Sequence, residues 1–142
     1  MGKVIGCGID IEELNRFEKL IPAHPDRSGF ISLVYSDDEI CSNSNILPHM
    51  TFPLAFCCKE AFFKAFGKSW FNSPISWKEI ELFFNMPLKD SVDEPLGLLN
   101  SHSVRLSGHA LELYRCMSCV SYETSLAMTS EYVSFEVLLI SE

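Results

Sequence analysis

Phe56-Cys57-Cys58-Lys59-Glu60-Ala61-Phe62-Phe63-Lys64-Ala65-Phe66-Gly67 is the stretch around which the chain is organised. Upstream, Pro53 suits the first turn of a helix, where a missing N–H costs nothing, and Gly67 suits the left-handed position that ends one. Between them stand good helix formers with no further Gly or Pro, so one helix is expected over about residues 52–66. Leu54, Cys58, Ala61, Phe62 and Ala65 form an apolar stripe at helical spacing, and Phe56, Phe63 and Phe66 make part of the remaining surface apolar too. Such a helix is buried on most sides, yet it carries Lys59, Glu60 and Lys64, and charges on a buried helix need partners. Glu60 and Lys64 are four apart and share a face. Two readings are open. The pair is a surface ion pair contributing about 0.2–0.5 kcal/mol, or it lines a crevice where a carboxylate holds a metal and an ammonium holds a phosphate.

Bulk properties narrow the class. The chain has 142 residues, 47% hydrophobic and 21% charged, which describes one globular domain over residues 1–142 with a substantial core. No apolar run reaches the length of a membrane span and the N-terminus has no leader pattern, so a cytoplasmic protein with no membrane partner is expected. In that setting the six cysteines are expected to be reduced and buried, and Cys116-x-x-Cys119, without a second ligand pair, makes a poor zinc site. Eleven Lys and Arg against nineteen Asp and Glu give a net charge of −8, which argues against nucleic acid as a partner.

From the N-terminus, residues 3–11 alternate as a strand does. Ile5, Cys7, Ile9 and Ile11 are expected to be its core face; Val4, Gly6, Gly8 and Asp10 lie on the other. Glycines inside a strand mark close approach by a ligand or another backbone, and they leave Asp10 without bulky neighbours. Asp10 is also a candidate N-cap, because Glu12, Glu13, Leu14, Phe17, Leu20 and Ile21 follow at helical spacing. Residues 22–27 read as a break, residues 30–35 as a short apolar run of undecided type. Ser36-Asp37-Asp38-Glu39 is a capping box opening a helix to about Asn43, followed by a loop over residues 43–50. After Gly67, residues 68–76 read as a loop, 77–85 as a strand, and 86–101 as a long irregular excursion. A short strand at 104–106, a helix capped by Ser107, and strands at about 122–127 and 132–140 complete an α+β pattern.

Gly8-Ile9-Asp10-Ile11 followed by Lys59-Glu60-Ala61-x-x-Lys64-Ala65 resembles the two signatures of the 4′-phosphopantetheinyl transferases, and the chain resembles their short, holo-acyl-carrier-protein synthase type. The likeness continues through Tyr35-Ser36-x-x-Glu39, Trp77-Lys78-Glu79-Ile80-Glu81-Leu82, Leu106-Ser107-Gly108-His109-Ala110-Leu111 and Glu131-Tyr132, nearly the whole chain. The resemblance implies an antiparallel sheet packed on a long central helix. It implies that Asp10 and Glu60 hold Mg²⁺ on the diphosphate of coenzyme A, and that Lys64 lies against the transferred phosphate. Glu60 is then the candidate to take the proton of the attacking carrier-protein serine, directly or through a metal-bound water, with 3′,5′-ADP released. It further implies substrate contacts from Lys59, Gly67 and Ser125, an acyl carrier protein met by Arg16 on the first helix, and a homotrimer with coenzyme A between subunits.

Three departures from that pattern stand out. Glu12, Glu13 and Glu18 surround Arg16 and Lys19, weakening the attraction for an acidic carrier. Ala55 occupies a position that is usually basic. Glu123-Thr124-Ser125 replaces a His-Val-Ser or His-Val-Thr run; a glutamate about 4 Å from a phosphate costs about 4 kcal/mol at an effective dielectric near 20. They leave a catalytically impaired, carrier-binding or structural family member as the alternative, and a donor lacking the 3′-phosphate, such as dephospho-coenzyme A, as a third.

Overall fold

The computed structural model describes residues 2–21, 29–44, 46–85 and 101–142. Strand β1 (Lys3–Glu13) leads into the short helix α1 (Leu14–Glu18); α2 (Gly29–Val34) and α3 (Asp37–Ser44) precede the long helix α4 (Pro48–Ala65). A 3-10 turn (Trp77–Glu79) opens β2 (Ile80–Phe84), and β3 (His102–Leu106), α5 (Gly108–Cys116), β4 (Cys119–Met128) and β5 (Tyr132–Ser141) follow. An antiparallel sheet in the order β1-β5-β4 packs on α4, and β2-β3 form a separate antiparallel pair. The expected α+β architecture is present. The expected break at residues 22–27 and the excursion at 86–101, apart from Ser101, lie outside the described residues.

Gly6 and Gly8 determine how the sheet meets the helix. A Cβ at Gly8 would overlap the Ala61 carbonyl and come within 2.7 Å of the Ala65 nitrogen; one at Gly6 would overlap the Ala65 carbonyl and come within 3.1 Å of Leu139 Cδ1. The glycine face of β1 is therefore the inner face. This reverses the expectation for Cys7, Ile9 and Ile11: Ile9 is 52% exposed and Ile11 61%, whereas Gly8 and Glu12 are buried; Ile5, at the irregularity between Val4 and Gly6, packs against the core as expected. Alternation identifies two faces of a strand without saying which one is covered, and here small residues on both partners are what permit covering. The central strand β5 supplies Val133, Phe135, Val137 and Leu139 to the core, against Leu54, Cys58, Ala61, Phe62 and other residues of α4.

Two boundaries moved for identifiable reasons. β1 continues through Glu12 and Glu13, which pair with Val133 and Tyr132, and the Leu14 N–H bonds the Glu131 carbonyl at 2.8 Å. Strand pairing overrides the helical spacing there, α1 has only five residues, and Asp10 sits inside the strand instead of capping a helix. At α4, Pro48 takes the first-turn position and Pro53 lies inside the helix, so the loop expected over 43–50 is already helical from Pro48. Pro53 removes only the bond to the carbonyl of His49, an exposed first-turn residue. The capping box of α3 forms as expected, with Glu39 N–H on Ser36 Oγ at 3.1 Å and Ser36 N–H on Glu39 Oε2 at 3.2 Å. Of the six cysteines, only Cys57 and Cys58 are buried; Cys7, Cys41 and Cys116 are exposed, because they fall on the outer sheet face and on helix surfaces.

The tight seat of α4 on β1 predicts that Gly8→Ala lowers unfolding stability by about 1–3 kcal/mol or more. Gly29→Ala, where an added Cβ meets nothing within 4 Å, changes it by no more than about 0.5 kcal/mol. Urea denaturation of both variants checks the contrast; equal effects would contradict it.

Candidate active site

Asp10 leaves β1 on the helix-facing side, and Lys64 reaches it from the last turn of α4. The Lys64 ammonium donates to Asp10 Oδ1 at 2.7 Å and to the Ile9 carbonyl at 2.8 Å, which ties strand and helix together at the solvent edge. Asp10 Oδ2 is buried, and no hydrogen bond of ordinary geometry reaches it. The Cys57 thiol packs close by and donates to the Val133 carbonyl at 3.7 Å. Burial, and then the negative charges of Asp10 and Glu12, hold its proton well above the usual thiol range.

Glu60 is half-buried one helical turn before Lys64, on the same side of α4. Its proton affinity is raised, first by burial and then by the charge of Asp10, with Lys64 pulling the other way and Glu12 and Arg16 adding smaller opposing effects. A carboxylate whose proton affinity is raised by burial and by the charge of Asp10, close to an Asp10 oxygen buried without a hydrogen bond of ordinary geometry, calls for a cation. The donor set is all oxygen, which suits Mg²⁺. Among the described residues, no three His, Cys, Asp or Glu side chains are placed to enclose a metal on their own. Mg²⁺ binds through one or two protein carboxylates and completes its shell with phosphate oxygens and water, so Asp10 and Glu60 fit it.

The other expected site residues fall elsewhere. Lys59 is fully buried, and its ammonium donates to Glu39 Oε2 at 2.7 Å, to the Trp77 carbonyl at 3.1 Å and to the Ile80 carbonyl. Its three protons are committed to the core, so the substrate contact expected of it gives way to a structural role. Gly67 has φ +66 and is exposed. Its N–H bonds the Lys64 carbonyl at 3.0 Å and the Lys68 N–H bonds the Phe63 carbonyl at 2.9 Å, a Schellman closure that ends α4 just past Lys64. Ser125 lies on the outer face of the sheet, where its hydroxyl donates to Glu136 Oε2 at 3.2 Å. Within one chain it is therefore on the opposite side of the sheet from Asp10, and Glu123 shares that outer face. Ala55 is packed in the core.

Arg16 is tied by its Nη1 to Glu12 Oε2 at 2.9 Å. Glu12 is the site neighbour that sequence reasoning missed, because the residue was assigned to a helix; extending the strand by two positions would have put it on the face of Asp10.

The 4′-phosphopantetheinyl transferase superfamily model matches residues 6–111, and the chain belongs to that superfamily. It is 28% identical over 131 residues to a holo-[acyl-carrier-protein] synthase of Geobacter sp. (strain M21), covering 88% of this chain and 94% of the relative. The fold matches that of a crystal structure of holo-ACP-synthase from Plasmodium yoelii, with a TM-score of 0.71 and 20% identity over 100% of this chain and 98% of that one. It also matches a holo-(acyl-carrier-protein) synthase from Bacillus anthracis in complex with CoA (3′,5′-ADP), with a TM-score of 0.66 and 21% identity over 98% of each chain.

Lys59→Met leaves the Glu39 carboxylate buried without its cation and is expected to cost about 3–5 kcal/mol of stability. Equilibrium unfolding measures this; a variant of native stability whose only defect is a raised KM would return Lys59 to the substrate.

Proposed function

We propose that this chain is a holo-acyl-carrier-protein synthase: it transfers 4′-phosphopantetheine from coenzyme A to a serine of an acyl carrier protein, with Mg²⁺, releasing 3′,5′-ADP. The observation that carries this reading is the joint placement of Asp10, Glu60 and Lys64, with Lys64 on one Asp10 oxygen, the other oxygen buried without a hydrogen bond of ordinary geometry, and Glu60 under the charge of Asp10. Bound between Asp10 and Glu60, Mg²⁺ would supply positive charge to the diphosphate. Lys64, anchored by the Ile9 carbonyl, holds a further positive charge at the exposed rim, where the transferred phosphate gathers charge. Glu60, whose proton affinity is raised from the ordinary carboxylate range, is the group suited to accept the serine proton. Gly67 ends the helix beside Lys64 and leaves its surface clear of a side chain, which favours a substrate passing there.

The same reading includes a homotrimer. Ile9 and Ile11 stand bare on the outer sheet face, with Val120 and Tyr132 also exposed. A groove of about 310 Å³ lined by Ile11, Ala127, Met128 and Tyr132, among others, continues that surface. Exposed apolar area of this kind favours association, and it gives Ser125 a route to a neighbouring subunit's donor site. With Glu123 on the outer face, its charge does not oppose the donor within a single chain. The impaired-member alternative rests on Ala55, which offers no charge for a phosphate, on Glu123, which shares the outer face of Ser125 and would bring a like charge to a neighbouring subunit's donor site, and on the acidic surroundings of Arg16. No helix among the described residues is long and apolar enough to cross a membrane.

Intact-mass analysis of an acyl carrier protein incubated with the protein, Mg²⁺ and coenzyme A is expected to show the gain of one phosphopantetheine. Dephospho-coenzyme A is expected to serve less well. Asp10→Asn, Glu60→Gln and Lys64→Ala are each expected to lower kcat/KM by about 10²–10⁴-fold. No mass gain with carriers from the same genome, or an undiminished rate for Lys64→Ala, would overturn the assignment. Sedimentation velocity on the same preparation is expected to show three copies per particle, and a monomer would contradict the assembly.

A further inference from the structure

The tip of an exposed turn is ordinarily Asn, Gly, Ser or Asp, and the turn after α4 departs from that chemistry. The Ser69 N–H donates to Asn72 Oδ1 at 2.9 Å and the Asn72 N–H to the Ser69 carbonyl at 3.2 Å, which closes a turn over residues 69–72. Its two central residues are Trp70, 53% exposed, and Phe71, 75% exposed. Their rings meet edge to face at 5.7 Å, and Trp70 lies 6.0 Å from Trp77. Trp77 in turn stacks on Phe56 at 5.2 Å and meets Phe63 edge to face at 5.3 Å. Phe56, Glu60 and Phe63 are successive positions on one face of α4, so the aromatic run leads from the candidate site out to the tip of the turn. A single exposed apolar residue needs no explanation; an adjacent pair continuous with the site does.

The same stretch carries the opposite charge to the chain as a whole. Residues 61–78 hold Lys64, Lys68 and Lys78 and no Asp or Glu, in a protein of net charge −8. Lys64 is taken by Asp10, whereas Lys68 and Lys78 are exposed and pair with no acid among the described residues. Glu79, which follows, is occupied by the N–H groups of Ser76 and Ala110 and by His109. Lys68 also lines a groove of about 290 Å³ with Ile75 and Leu113, where Glu112 is the acid among the described residues. By contrast, α1 and its flanks set Glu12, Glu13 and Glu18 against Arg16 and Lys19, and Arg16 is already tied to Glu12. The protein surface that fits the turn is acidic and carries an apolar side chain for the rings.

We propose, on the basis of the transferase reading of this site, that the turn at residues 69–72, with Trp70 and Phe71 at its tip and Lys68 and Lys78 beside it, is the surface on which the acceptor protein docks. The partner is an acidic carrier that seats an apolar side chain against the two rings. The lysines draw it in over distance, and the aromatic contact holds it. Gly67 ends α4 between Lys64 and this turn, so a protein seated on the rings lies at the rim of the candidate site. Recognition of the acceptor then rests on the loop after α4 more than on α1.

The test is calorimetric binding of an apo acyl carrier protein from the same genome to the full chain without coenzyme A, beside carrier modification followed by intact mass. Phe71→Ser and Trp70→Ala are each expected to weaken carrier binding by about 5–30-fold. Lys78→Glu is expected to weaken it by about 3–10-fold at low ionic strength, a difference that shrinks as salt screens the charge. The KM for coenzyme A is expected to keep its wild-type value in all three. Circular dichroism establishes that the variants are folded, and Lys78→Glu tests the claim independently should Trp70→Ala fold poorly. Wild-type carrier affinity in both Phe71→Ser and Lys78→Glu overturns the inference. So does a raised KM for coenzyme A with carrier affinity unchanged, which would give the rings to the donor. A changed number of copies in sedimentation velocity also overturns it, because the turn would then be a contact between subunits. If the wild type modifies the carrier and the variants bind it equally well, only this inference falls. If the wild type neither binds nor modifies the carrier, the inference and the transferase reading fall together. Binding that the variants weaken, without any modification, upholds the docking and rejects the transfer.

Discussion

The near-contact of two backbones, β1 at Gly6 and Gly8 and α4 at Ala61 and Ala65, is the constraint on which this structure depends. With no side chain on the strand and only methyl groups on the helix, the two elements sit closer than ordinary helix–sheet packing allows. Only at that separation does Lys64 span to Asp10 and to the Ile9 carbonyl. Beyond the glycines, the same strand face turns from contact to charge, with Asp10 and then Glu12. One face of one strand thus provides the seat of the helix and, two residues later, the acids of the candidate site.

Neighbouring residues of α4 carry opposite duties. Lys59 and Glu60 are adjacent in sequence and about 100° apart around the helix. Lys59 points inward, where Glu39 accepts its proton bond while also accepting from the Leu82 and Ser36 N–H groups. That joins α3, α4 and β2 through one buried carboxylate, whose proton affinity is raised by burial and pulled back by Lys59. A second carboxylate, Glu81, is held below the usual range although burial alone would raise it, because Arg105 and Ser36 hydrogen-bond to it. Those charges hold elements together. Among the described residues no hydrogen bond or ion pair of this kind engages Glu60, and this difference separates a structural charge from one available for chemistry.

Much of this organisation was legible in the residues. The central helix, the capping box at Ser36 and Glu39, the closing strands and the helix after Ser107 follow from local spacing and cap chemistry, which are short-range properties. The inner face of β1 was not legible, because the apolar side of a strand is assumed to be covered, and here the glycine side is. The length of β1 was misread because pairing with β5 outweighs the helical spacing of Glu12 to Ile21, a tertiary effect that no local window contains. Lys59 was assigned to substrate because its partner Glu39 lies twenty residues away on another helix. The gathering of Asp10 with Lys64 could be anticipated only through the family signatures, since fifty-four positions separate them.

The account stands or falls on whether Asp10 and Glu60 share one divalent ion. Anomalous diffraction from crystals grown with Mn²⁺ and coenzyme A measures that directly. The account predicts a single strong manganese peak bonded to a carboxylate oxygen of each residue and to the donor's diphosphate. A well-ordered diphosphate with the metal bound elsewhere, or touching neither carboxylate, would contradict it.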